Sequence, residues 1–251
     1  MITIRAATRI IVLLFWTMFV LLIYWIGLVP ILFSERKRVQ YRRFFVKYWG
    51  VFTSKIIGMR LHVRGTPPNP PCCLVSNHLS YIDVLVFQAA SGSILLSKME
   101  VKSWPFIGLL SKVTGTLFID RSKRLDVIRV SDDIQNRLTL GESVVFFPEG
   151  TSSDGSQVGP FKSSLLNYFA VASYPVHFAT IRYSSPSFDV STKVCWWGDM
   201  LFAPHFWSLM KQPSFDCFLT FGEFPVTDPN RKALTTTLRE RIVHQVEKRT
   251  P

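Results

Sequence analysis

The sequence predicts an α/β layer fold: a largely parallel central sheet flanked by helices, preceded by an N-terminal membrane-anchoring helical segment. Two observations carry the prediction. From about residue 60, short β-type runs alternate with amphipathic helical stretches, the pattern of parallel strands joined by helical crossovers. Before them, residues 10–33 run for 24 positions without a charge.

The apolar run comes first. As a helix, 24 residues span ~36 Å, enough for a ~30 Å hydrocarbon core. Trp16, Tyr24 and Trp25 supply aromatic anchors for the membrane boundary. The run is too long for the apolar part of a cleaved signal peptide, and no small-residue cleavage site follows it. Arg36, Lys37, Arg38, Arg42, Arg43 and Lys47 follow, against only Arg5 and Arg9 before it, which places the larger downstream part in the cytoplasm. Over 39–57, Phe45, Trp49, Phe52 and Ile56 form an apolar helical stripe beside basic residues, so this second helix suits the membrane interface. Pro30 permits a bend between the two. A single span and a hairpin that enters and leaves one leaflet both fit. The chain therefore divides into an anchor, residues 1–58, and a second domain, residues 59–251.

Strands are expected at 60–64, 72–76, 93–97, 116–120, 142–147, 175–182, 192–197 and 215–221. Helices are expected at 81–90, 101–112, 123–139, 162–172 and 232–248. Val127, Val130, Ile134 and Leu138 share one helical face, as do Leu234, Leu238, Ile242 and Val246. The net charge of +12 is compatible with nucleic acid or with anionic lipid. Much of the basic excess lies beside the apolar segment, and no zinc finger or RNP motif is present, so no nucleic-acid partner is expected. Cys72, Cys73, Cys195 and Cys217 have no zinc-type spacing and read as packed thiols, so no metal is expected either.

Chemistry concentrates in three places. In Asn77-His78-Leu79-Ser80-Tyr81-Ile82-Asp83 a histidine and an aspartate stand five apart where a strand gives way to a helix. Within one helix they would lie ~140° apart around the axis and could not meet. With His78 before the helix and Asp83 in its first turn, the ring can fold back over the carboxylate, which makes a general base of fixed tautomer. Ser80-x-x-Asp83 also reads as a helix cap. A second strand ends in Asp120-Arg121, where an arginine can hold phosphate through its planar fork or simply pair with its neighbour. A third ends at Phe147-Pro148-Glu149-Gly150-Thr151-Ser152-Ser153, a loop of backbone and hydroxyl donors that suits an anion or an ordinary turn. No nucleophile elbow, Walker loop or dinucleotide fingerprint occurs.

Taken in order, Asn77-His78-x-x-x-x-Asp83, Gly115-x-x-Phe118-Ile119-Asp120-Arg121 and Phe147-Pro148-Glu149-Gly150-Thr151 resemble the glycerolipid acyltransferases of the 1-acylglycerol-3-phosphate acyltransferase (PlsC-like) family. Lys98-Met99-Glu100, Pro105-Phe106-Ile107-Gly108 and Pro175-Val176 add weaker matches, and the resemblance covers 60 to about 185. It implies that His78 is the general base on the acceptor hydroxyl and that Asp83 orients it. It implies that Arg121 holds the acceptor phosphate, with Glu149, Gly150 and Thr151 shaping that pocket. The acceptor would be lysophosphatidic acid or a related lysolipid, lyso-ornithine lipid among them, and the donor acyl-CoA or acyl carrier protein, with no bound cofactor. Membrane lipids would be the surroundings, at a bacterial inner membrane with the catalytic domain in the cytoplasm. Ser152 departs from the pattern, since many members carry arginine there, and His177 stands where apolar residues are usual. His62, His205 and His244 show no partner pattern.

Overall fold

The computed structural model describes residues 2–104, 107–120 and 123–248. Its order is α1 (Ile2–Leu28), α2 (Glu35–Ile57), β1 (Met59–Arg64), β2 (Cys73–Ser76), α3 (Asp83–Ser91), β3 (Ile94–Lys98), α4 (Ile107–Val113), β4 (Leu117–Ile119), α5 (Arg124–Thr139), β5 (Val144–Phe146), α6 (Asn167–Val171), β6 (Val176–Ser184), α7 (Val190–Lys193), α8 (Phe202–Lys211), β7 (Phe215–Phe221) and α9 (Arg231–Glu247). The seven strands form one sheet in the order β1-β7-β6-β2-β5-β3-β4. Every neighbouring pair is parallel except β6 and β7, so the sheet is largely parallel.

Alternation along each strand builds two apolar layers. Leu74, Val145, Ile181 and Cys217 face a cluster closed by Ala6, Phe87, Leu209 and Met210, from α1, α3 and α8. Cys73, Val144, Phe146 and Val176 face the other side, closed by Ile134, Phe169, Leu234 and Leu238, from α5, α6 and α9. β2 is buried along its whole length, which explains why it reads as a continuous rather than alternating run. The four cysteines are free, buried thiols.

α1 and α2 form an antiparallel pair. Tyr41 donates to Ile23 O at 3.2 Å, Trp49 Nε1 donates to Thr17 Oγ1 at 3.2 Å, and Tyr24 stacks on Tyr41. A short 3-10 turn, Val29–Ile31, holds Pro30 between them. The stretch Ile2–Ile31 is long and apolar enough to cross a membrane. α2 ends at Gly58, whose φ of 86° lies in the left-handed region that glycine enters without steric cost. Ile57 packs into the core with Ala6.

Three expectations change. Residues 192–197 are not a strand: Asp189 accepts the Ser191 N–H at 2.9 Å and starts the short helix α7, and both tryptophans lie in the loop beyond it. Burial of Val194 and Cys195 had given that stretch its strand-like pattern. The expected helix 101–112 begins instead as a 3-10 turn, Met99–Ser103, followed by α4, and 162–172 likewise opens with the 3-10 turn Ser164–Leu166. Helix α8 was not anticipated; its Pro204 sits in the first turn, where no backbone N–H is needed. Pro105 and Phe106 lie outside the described residues.

Candidate active site

The C-terminal end of β2 delivers Asn77 and His78 into a tight turn, and α3 begins at Asp83. His78 Nδ1 lies 2.7 Å from Asp83 Oδ2. A carboxylate only accepts, so Nδ1 carries the hydrogen and the neutral ring's free lone pair is on Nε2. The imidazole is stacked on Phe147 at 4.1 Å with an 8° tilt, which fixes its plane. Its side chain keeps 21% exposure while Asp83 has none, so the ring faces solvent and its partner does not.

Asp83 also accepts the backbone N–H groups of Leu79 at 2.7 Å and Ser80 at 3.0 Å. It therefore holds the turn and the ring together, but the residue at the N-cap of α3 is Ile82, with no side-chain cap bond, so the helix-cap reading is met only by the Ser80 N–H. Ser80 contributes its backbone rather than its hydroxyl, which is buried without a partner.

The Glu149 loop, at the end of neighbouring β5, closes on His78. Glu149 Oε1 accepts the His78 N–H at 2.8 Å and Oε2 accepts the Gly159 N–H at 2.8 Å. Ser153 N–H donates to His78 O at 3.0 Å. Both polar groups of the His78 backbone are thus held by one loop. Burial is the main cause that lifts the Glu149 carboxyl above its usual range, against the two N–H donors that pull it down. Gly150 adopts φ of 80°, a conformation that favours glycine, and a Cβ at Gly159 would stand 2.8 Å from Glu149 Oε2, so a side chain there would have to push the carboxylate aside. Thr151 is exposed beside this loop. Arg121 lies outside the described residues.

The structure adds residues that motif reading did not single out. Arg239 of α9 donates to Gly159 O at 2.8 Å and Val158 O at 2.7 Å, bracing the segment that binds Glu149. Trp196 N–H donates to Leu79 O at 2.9 Å, and the Ser152 hydroxyl donates to Trp196 O. The serine that departs from the family pattern thus ties the Glu149 loop to the loop over the His78 turn. His205 accepts from or donates to Tyr81 at 3.0 Å, and His62 pairs with Asp216 at 2.7 Å. These pairings join residues more than 100 positions apart, and no local pattern announces them. His177 lies within β6, where burial lowers its pKa.

The chain is thus an α/β protein whose largely parallel sheet presents a hydrogen-bonded histidine–aspartate pair at a strand end, beside an apolar N-terminal helical hairpin. The comparisons make it particular. The family model described as Acyltransferase matches residues 60–184. A lyso-ornithine lipid O-acyltransferase of Brucella abortus is 31% identical over 204 residues, covering 75% of this chain and 76% of that protein. One from Rhodobacter capsulatus is 37% identical over 154 residues, covering 60% of this chain and 55% of that protein. A 1-acyl-sn-glycerol-3-phosphate acyltransferase of Neisseria meningitidis is 33% identical over 158 residues, covering 59% and 62%. The crystal structure of the 1-acyl-sn-glycerophosphate acyltransferase PlsC from Thermotoga maritima superposes with a TM-score of 0.71 at 19% identity, covering 98% of this chain and 94% of that one, and shows the same fold. The chain belongs to the acyltransferase family and is an O-acyltransferase.

Proposed function

We propose that this enzyme transfers a fatty acyl group from an acyl thioester to the free sn-2 hydroxyl of 1-acylglycerol-3-phosphate, giving phosphatidic acid for phospholipid synthesis. The observation that carries the chemistry is the 2.7 Å contact between His78 Nδ1 and buried Asp83, which leaves Nε2 as the proton acceptor. Nε2 takes the hydroxyl proton as the oxygen attacks the thioester carbonyl. The C–S bond then breaks, and the thiolate leaves with the proton returned by His78. A thioester is already activated, so no covalent enzyme intermediate is required. Coenzyme A and acyl carrier protein are both suitable carriers.

Arg121 is assigned to the acceptor phosphate, with Gly150 and Thr151 beside it. Glu149 acts on this reading through His78, because both its oxygens are engaged by backbone N–H groups. A second acceptor, lyso-ornithine lipid, is favoured by the Brucella abortus relative's wider coverage of the chain and by Ser152 in place of arginine. An ornithine headgroup carries no phosphate, so the two readings differ in what Arg121 must do.

The experiment is an acceptor comparison at fixed donor, with membranes carrying the chain. Faster turnover of lysophosphatidate supports the first reading, and faster turnover of lyso-ornithine lipid replaces it with the second. Turnover by His78→Ala at the parent rate would overturn the base assignment under either.

The hairpin is read as monotopic. Arg5 and Arg9 bond to carbonyls at 210–213 in the catalytic domain, so the start of α1 lies on that domain's side. α2 returns from the tip with seven basic residues and is too charged to span. Phe15, Phe19 and Leu22 are exposed on α1 and supply an apolar surface for one leaflet. The membrane is assigned as the bacterial inner one, with the catalytic domain facing the cytoplasm.

A further inference from the structure

We propose that Tyr183 is a positioning residue of the reaction: its phenol holds the outer oxygen of Asp83 and so fixes the carboxylate that orients His78. The proposal rests on the reading of His78 as the base.

It begins with a strand that is too long for its partner. β6 pairs with β2 as far as Ala179 opposite Ser76, then continues to Ser184. The overhang runs beside the His78 turn. Asn77 treats Ile181 as a strand partner would: its Nδ2 donates to Ile181 O at 3.0 Å and its Oδ1 accepts the Ile181 N–H at 2.8 Å. Two residues on and on the same face, the Tyr183 hydroxyl donates to Asp83 Oδ1 at 2.7 Å. The overhang thus holds the residue before His78 through backbone, and the residue that steers His78 through a side chain.

The division of labour on Asp83 is uneven. Oδ2 accepts from His78 Nδ1, Leu79 N–H and Ser80 N–H. Oδ1 accepts from Tyr183. Asp83 has 0% exposure and Tyr183 5%, so water cannot replace the phenol without a rearrangement. Burial, reinforced by the Asp83 charge, keeps the phenol protonated and therefore a donor. Glu149 and the Cys195 and Cys217 thiols also feel the Asp83 charge. Burial holds both thiols in the neutral form, and Tyr183 meets the charge with a hydrogen bond at Oδ1, opposite the three donors on Oδ2.

Tyr183→Phe keeps the ring and its edge contact with Phe215, so the core stays filled. It leaves a buried anionic oxygen without its donor. The carboxylate then turns more of its charge on the imidazole, which favours the protonated ring and removes base at acidic pH. The expected result is a fall in kcat of about tenfold, an unchanged KM for the acceptor, and an acid limb of the kcat–pH profile displaced to higher pH. In an Asp83→Asn background the same change should cost little further, because the charge it serves is gone.

A kcat within twofold of the parent overturns the proposal. So does a loss of thermal stability with an unmoved pH profile, which would make Tyr183 merely structural. If Asp83→Asn falls below detection, the profile of the single variant decides. His78→Ala separates this from the underlying reading: parent-like turnover there defeats the base assignment, whereas an inactive His78→Ala beside an unaffected Tyr183→Phe defeats only the role given to Tyr183.

Discussion

Two single residues decide most of the proposed chemistry, and both can be isolated by substitution. His78→Ala removes the proposed proton acceptor and should lower kcat by about 10²–10⁴-fold, with lysolipid binding to the membranes unchanged in a pull-down. Glu149 offers a sharper case. Its carboxylate bonds the His78 and Gly159 N–H groups. Glu149→Gln keeps one accepting oxygen and turns an NH₂ toward the other N–H, so the loop must shift. We expect lower kcat with little change in acceptor KM, since the lost contacts are to backbone. The shift of this group has a definite sign. Burial raises its folded pKa above its unfolded 4.5, so the folded state holds the proton more tightly. Its contribution to stability therefore rises as pH falls toward 4.5, while protonation weakens its hold on an N–H and activity falls. Thermal midpoints and rates measured together over pH 4.5–7 should move in opposite directions for this group, and Glu149→Gln should flatten both trends.

Pairs that join elements carry the next scale. Glu142, 3% exposed, receives Arg42 from α2 and Arg137 from the end of α5 at 3.1 Å. Glu142→Ala strands the Arg42 guanidinium, of which only 15% is exposed, and should cost about 3 kcal/mol in denaturant unfolding of the solubilised enzyme. Arg42→Met in that background should restore part of the loss. At the other edge, Asp216 of β7 meets Arg60 and His62 of β1, and the Arg60 hydrogen bond leads the causes that pull its pKa from 3.8 to about 2. The stability it brings is present above pH 4 and is lost as pH falls toward 2. Asp216→Asn should thus lower the thermal midpoint at pH 6, and the difference from the parent should shrink by pH 3.

At the scale of the whole molecule the hairpin and the catalytic sheet form one packed body. α2 crosses α3 so closely that a Cβ at Gly50 would lie 2.8 Å from the Ala89 nitrogen. The exposed apolar surface of α1 and the His78 turn at the start of α3 are therefore held in a fixed relation. An arginine at Phe19 or Leu22 would place a charge in hydrocarbon at a cost of about 2.5–3.5 kcal/mol. Co-sedimentation with liposomes should show a roughly hundredfold weaker partition for such a variant, and turnover of a detergent-dispersed substrate should be retained. For the monotopic reading, cysteines placed at Ile2 and at Thr227 should react with an impermeant maleimide from the same side of sealed vesicles. Labelling from opposite sides would replace it with a single span.

The sequence by itself determined the fold class, the apolar segment and the three chemical loops, because each rests on neighbours in the chain. Period-two and period-3.6 burial mark strands and helices locally, and the His78–Asp83 pair is five residues long. It misread 192–197 and passed over α8, since Val194 and Cys195 are buried from a loop rather than by strand neighbours, with Trp196 half-buried and Trp197 exposed beyond them. Which loops meet was a tertiary decision. Glu149 reaches His78 because β5 happens to lie beside β2, and Gly159 reaches Glu149 because Arg239 braces it from α9. Tyr183 reaches Asp83 because β6 outruns its partner. Sheet order and strand length set these contacts, and both are fixed by packing between segments far apart in the chain, where no local pattern records them.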